Sequence, residues 1–117
     1  MRGQIAHLRG LAAEEAVVRH YQSQGHSIAA RRWRSAAGEI DIVARQGDRV
    51  VFVEVKAGRT MDAAAQQLTG RQAARIAASA EIWLGDLPFG SWAEAQVDLA
   101  LVDGTGRIEV IENVLAA

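Results

Sequence analysis

The segment GEIDIVARQGDRVVFVEVK, residues 38–56, constrains this chain more than any other stretch. Two runs of alternating apolar residues flank Gly47-Asp48, and glycine at the first central position supplies the positive φ that a two-residue type II′ hairpin requires. That turn fixes the register. Ile40 should face Val55, Ile42 face Val53 and Ala44 face Val51, which puts six apolar residues on one side of the ribbon. The other side should pair Val43 with Phe52, Asp41 with Glu54, and Glu39 with Lys56. Two carboxylates then stand directly opposed, with Cβ atoms about 4.5 to 5.5 Å apart.

Like charges in opposed positions destabilise a sheet, and burial would push one pKa upward unless a cation intervenes. Two arrangements satisfy the spacing. In one, the face is wet and Lys56 neutralises a surface cluster. In the other, the pair holds a divalent cation: Mg²⁺ is commonly bound by one or two carboxylates, with water and substrate phosphate completing its shell. Lys56 is the only lysine beside twelve arginines, and a compact ammonium is not equivalent to a guanidinium fork.

The flanking sequence supplies the layers that would cover such a ribbon. Residues 4–24 read as a helix ended by Gly25, with Ile5, Leu8, Leu11, Val17, Val18 and Tyr21 at helical spacing. Glu14 falls within that stripe, where a carboxylate wants a partner, whereas Glu15 falls nearer its edge. If this helix covers the polar face of the hairpin, Glu14 becomes a third carboxylate at one site. Residues 27–34 read as a strand and 62–84 as one long alanine-rich helix, weakened locally at Gly70. A loop follows at GDLPFGSW, then strands at 95–103 and 106–113. The order αβββαββ, with no repeat or linker, predicts one α/β domain over residues 1–117: a mixed sheet flanked by helices. Trp83 and Trp92 are expected in or near the core, and the terminal IENVLAA is expected to cover its edge or join a homodimer.

Composition narrows the chemistry. No apolar run approaches the length of about 20 residues that a membrane span needs, and the amino terminus lacks the apolar block of a secretory signal. A soluble, cytoplasmic protein without membrane partners is expected. The absence of cysteine removes disulfides and thiolate chemistry. The net charge of −1 argues against histone-like affinity for nucleic acid. Its distribution is uneven: residues 1–60 carry ten Arg/Lys against six Asp/Glu, and residues 61–117 carry three against eight. Such asymmetry usually marks a solvated surface. RRWRS nevertheless sets Arg31, Arg32 and Arg34 around Trp33, a mixture suited to phosphate contact and base stacking. No P-loop, HExxH or G-x-S-x-G is present, DGTGR reads as a turn, and His7, His20 and His26 lack metal-ligand spacing.

GEID, a gap and VFVEVK resemble the Asp…Glu-x-Lys core of the PD-(D/E)XK nuclease superfamily, and more closely the YraN family of restriction-endonuclease-like proteins. The similarity runs nearly the whole length through Glu14, Gly25, ARRWR, LTGRQAARI and VDLALV. The resemblance implies a restriction-endonuclease-like αβββαββ fold. It also implies Asp41 and Glu54 as metal ligands, the Val55 carbonyl as a further one, Lys56 as the catalytic lysine and Glu14 as an auxiliary acid. Mg²⁺ or Mn²⁺ is the implied cofactor, and nucleic acid the implied partner, DNA ahead of RNA, met by Arg31, Arg32, Arg34 and Arg59. Asp98 matches a family aspartate and reads as structural. The chain departs from the family pattern at Ala13, usually Gly, at Gln72, often Lys, at Arg32, often Asn, and at Val97, usually Phe. Gln72 also lies on its helix's apolar stripe, so packing suits it as well as ligand contact. The function expected is metal-dependent phosphodiester hydrolysis on structured or branched DNA. The alternative is a nuclease-fold module that binds nucleic acid or protein without cutting.

Overall fold

The computed structural model describes residues 2–88 and 94–115, the side chains of residues 2 and 5–7 excepted. Its elements are α1 (Arg2–Ser23), β1 (Ser27–Ser35), β2 (Gly38–Gln46), β3 (Arg49–Ala57), α2 (Met61–Ala65), α3 (Gly70–Gly85), β4 (Glu94–Val102) and β5 (Ile108–Ile111). They form one five-stranded sheet in the order β1-β2-β3-β4-β5. β3 and β4 run parallel and the remaining neighbours antiparallel. The parallel pair exists because α2 and α3 carry the chain back along the sheet before β4 begins. The fold is therefore α/β with a mixed sheet, in the αβββαββ order. Trp92 lies outside the described residues.

The hairpin turn forms as its chemistry requires. Gly47 has φ 62°, and Gln46↔Arg49, Ala44↔Val51, Val43↔Phe52 and Ile42↔Val53 pair in the expected register. Neither face of the ribbon is wet. Ile42, Ala44, Val51 and Val53 pack under α1 against Val17, Val18 and Tyr21. Val43, Val50 and Phe52, all essentially inaccessible, pack under α3 against Ile76 and Ala80. Consequently α1 covers the Ile42 and Val53 face of the ribbon, and α3 the opposite one.

Two elements differ from the sequence expectation for local reasons. The long helix is broken in two, because the Thr69 hydroxyl caps a new helix by accepting from Gln72 N–H at 3.1 Å. Gly70 thus opens α3 instead of weakening a helix interior. Trp33 is half-buried. Its ring meets Trp83 edge to face, centroids 5.3 Å apart, at the margin of the α3 layer.

Candidate active site

The site begins where the β2–β3 ladder stops. Its last pair is Ile42↔Val53, and the ladder does not extend to Asp41 and Glu54. Instead, Asp41 Oδ2 accepts the Val55 N–H at 2.8 Å, so a side chain replaces a strand as partner to that amide. The facing changes at the same step. Ile42 belongs to the layer under α1, whereas Ile40, two residues earlier, belongs to the layer under α3 beside Trp33. Regular alternation forbids this. Across the ladder, Arg32, between the pairs Arg31↔Ile42 and Trp33↔Ile40, has φ 49°, a left-handed conformation uncommon outside glycine. Both strands reverse facing there, and Asp41 emerges on the α1 side, in a cavity of about 340 Å³ with Glu14, Arg32, Arg34, Glu39 and Val55. The expectation that Ile40 packs with Ile42, and that Asp41 sits on the Val43 face, is therefore corrected.

The two carboxyl groups still meet across the split. Burial pushes Glu54 up to about 8, the neighbouring Asp41 charge adds to it, and Lys56 opposes it. Burial also raises Asp41, although the Val55 N–H and a hydrogen bond from Glu54 pull it back. Burial thus works against two full charges on this pair. Lys56 Nζ lies 3.4 Å from Glu54 Oε1, with only 14 % and 12 % of the two side chains exposed. Glu39 does not face Lys56; it pairs with Arg34 at 3.1 Å on the exposed rim.

The raised Glu54 has a measurable consequence. The fold favours its protonated form, so stability is whole below the unfolded pKa, an ordinary 4.5, and falls as pH rises through the folded value near 8. Denaturant melts in chelator across this window should show that decline, and Glu54→Gln should flatten it. An equal slope in the variant would assign the decline to another group.

Glu14 is placed differently from the other acids. It is 7 % exposed, and its two oxygens take Arg31 Nη2 at 3.3 Å and Arg32 Nε at 3.2 Å. Arg31 also reaches Glu15 at 2.7 Å. Among the described residues, no three acidic or histidine side chains stand together as a metal-ligand group. The site accordingly has two carboxylates with Lys56, and Glu14 borders it while holding the β1 arginines. Arg34 is largely exposed, and Arg59, exposed too, lies in an adjoining groove with Lys56.

Two residues at the site carried little signal in the sequence. Gln72, on the first turn of α3, accepts from Lys56 Nζ at 3.2 Å and donates to the Gln67 carbonyl at 2.9 Å when its amide is turned to suit both. Gln67 in turn donates to the Ala57 carbonyl. The Thr69 cap places Gln72 there, so the helix break contributes to the site. Asp98 is elsewhere. It is 2 % exposed and accepts from Tyr21 Oη at 2.6 Å, Gln96 Nε2 at 2.8 Å and Asn113 N at 3.0 Å, tying α1 to β4 and the end of β5. Its oxygens are committed to the fold.

A mixed sheet split beside an Asp, a Glu and a Lys, with helices on both faces, defines an α/β protein of the restriction-endonuclease-like class. Comparison with known sequences makes this specific. Residues 13–112 match the family described as "Uncharacterised protein family UPF0102", and the chain belongs to that family, UPF0102 (YraN). A UPF0102 protein of Cereibacter sphaeroides (strain ATCC 17025 / ATH 2.4.3) is 49 % identical over 117 residues, covering all of both chains. One from Ruegeria pomeroyi is 49 % identical over 112 residues, 96 % of this chain and 91 % of its own. One from Roseobacter denitrificans is 40 % identical over 114 residues, 97 % and 88 % respectively. No helix among the described residues is long and apolar enough to cross a membrane.

Proposed function

We propose that this protein is a divalent-metal-dependent phosphodiesterase acting on nucleic acid in the cytoplasm, on structured or branched DNA ahead of RNA. The observation that carries the reading is the buried Asp41–Glu54 pair beside the Lys56 ammonium, at the point where the β2–β3 ladder ends. Two carboxylates held together out of water form an oxygen donor set that suits a hard cation. Asp41 and Glu54 fit Mg²⁺ or Mn²⁺ as ligands, and the Val55 carbonyl, water and phosphate oxygens suit the remaining positions. When bound, such an ion supplies Lewis-acid polarisation of the phosphoryl group and a lower pKa for the attacking water.

The chain's own residues do the rest. Lys56, held between Glu54 and Gln72, donates to a non-bridging phosphate oxygen as charge builds on it, or orients the incoming water. The water oxygen forms a bond to phosphorus and gives up one proton to solvent, the P–O ester bond breaks, and the departing oxygen takes a proton from solvent. Arg34 and Arg59, exposed at the rim, meet flanking phosphates; Arg31 and Arg32 do so with whatever donors Glu14 and Glu15 leave open.

Titration calorimetry with Mg²⁺ and Mn²⁺, paired with a cleavage screen across branched, flapped and single-stranded DNA and RNA, tests this. Saturable binding and cleavage, both lost in Asp41→Asn and in Glu54→Gln, is the expected result. A second reading, a module that binds without cutting, draws support from the lack of a third ligand carboxylate among the described residues. Absence of binding by either ion at millimolar concentration selects it.

A further inference from the structure

The cavity that holds Asp41 has a larger neighbour. A groove of about 740 Å³ adjoins that cavity, sharing Gly10, Ala13, Val55 and Ala57 with it, and extends past Lys56 between α1, the β3–α2 link and the β4–β5 turn. Its walls are mostly small residues, and the cations that line it are Arg9 on α1, Arg59 on the link and Lys56, whose side chain is 14 % exposed and engaged by Glu54. Arg9 and Arg59 have no carboxylate partner among the described residues. The single acid among the described lining residues, Asp103, is turned into its own loop. Its Oδ1 accepts from Thr105 N at 2.9 Å, Thr105 Oγ1 at 2.7 Å and Arg107 N at 3.0 Å. The groove is thus a basic trough.

Its far wall is built to stay in place. Gly58 N–H donates to the Val102 carbonyl at 3.0 Å and Gly104 N–H to the Arg59 carbonyl at 3.1 Å, bracketing Arg59 on both sides. A Cβ on Gly58 would stand 2.7 Å from Ala64 N, and one on Gly104 would stand 3.2 Å from the Arg59 oxygen. Glycine is needed at the first of these because the α2 backbone already fills the space, so Arg59 projects from a backbone with little freedom to move.

We propose that this groove holds the sugar-phosphate backbone of a single nucleic-acid strand, Arg9 and Arg59 meeting its phosphates as the strand runs toward Lys56. Three features fix the occupant. The charge is positive at spaced points, as a phosphodiester chain requires. The volume falls in the range of about 300 to 1,000 Å³ usual for small-ligand sites, room for a nucleotide or two of one strand and not for a duplex. No aromatic side chain lines the groove among the described residues, so the stacking platform of base-reading single-strand sites is missing and the strand is held without regard to its sequence. The placement of Lys56 at the scissile end rests on the hydrolase reading; the binding of the strand does not.

The test is fluorescence anisotropy of labelled oligothymidylate, oligodeoxyadenylate and a blunt duplex across a salt series, in chelator. The two single strands should bind alike and the duplex more weakly. Arg9→Ala and Arg59→Ala should each weaken strand binding and reduce the slope of log K against log salt by about 0.7, the single-strand value per phosphate contact. Arg59→Glu should weaken it further. Both arginines are exposed, so the variants should fold, which circular dichroism checks. Unchanged slopes in the variants, a duplex bound as tightly as a strand, or no strand binding at low salt overturns the proposal. Because metal is absent, these outcomes are separate from a failure of the hydrolase reading, which appears as missing Asp41-dependent metal binding while the slopes still respond.

Discussion

Replacing Arg31 and Arg32 together by alanine is expected to destabilise the protein by about 3 kcal/mol at pH 7, the low end of what removing the partner of a buried charge costs. The low end applies because the Arg31 and Arg32 side chains are 37 % and 45 % exposed, while Glu14 is 9 % exposed. The arginines lose little by returning to water; the carboxylate left behind loses both its donors. One consequence separates this from simple loss of packing: adding Glu14→Gln to the double variant should recover part of the deficit, since the charge is then gone. Chemical denaturation of the three proteins measures it. A deficit unrelieved by Glu14→Gln would show that Glu14 needs neither arginine.

That ion-pair cluster also shows where the sequence was legible and where it was not. The hairpin register could be read because a glycine-led turn and apolar alternation independently demand it, and a one-residue slip would turn every side chain to the opposite layer. The burial of Glu14 was legible from helical spacing. Its partners were not, because Arg31 and Arg32 suit phosphate contact and carboxylate pairing equally well, and only the packing of α1 across β1 decides. The facing of Asp41 was hidden for a different reason. It depends on a left-handed φ of 49° at Arg32, a conformation arginine rarely adopts. Where the family often carries asparagine, the same position holds the non-glycine residue that tolerates that region well. Hydrophobic periodicity likewise concealed the break at Thr69, since the apolar stripe continues through it, although Thr69-Gly-Arg-Gln72 has the spacing of a helix-capping pair. Gln72 reached the site through that cap. Local chemistry was therefore readable wherever one residue type has one use, and unreadable wherever strain or a choice between partners sets the outcome.

The largest effect on activity is expected at Lys56. The ammonium sits 3.4 Å from Glu54 and is almost enclosed, with Gln72 accepting a second of its hydrogens at 3.2 Å, which leaves one N–H direction for substrate. On the hydrolase reading, that remaining donor meets charge developing on the phosphate oxygen in a site with little water, where removal of one such donor typically costs about 100- to 1,000-fold in rate. Lys56→Met keeps the length and apolar stem of the side chain, so the fold and the Asp41–Glu54 pair should persist. Single-turnover cleavage at saturating Mg²⁺ should fall by that factor while calorimetry still detects the ion. Lys56→Arg should not restore the rate, because a planar guanidinium is too wide for a cradle that fits an ammonium between Glu54 and Gln72. If the methionine variant cleaves as fast as wild type, Lys56 only balances the charge of Glu54. If it no longer binds metal at any concentration, the lysine organises the carboxylates and its role is in the ground state of the site.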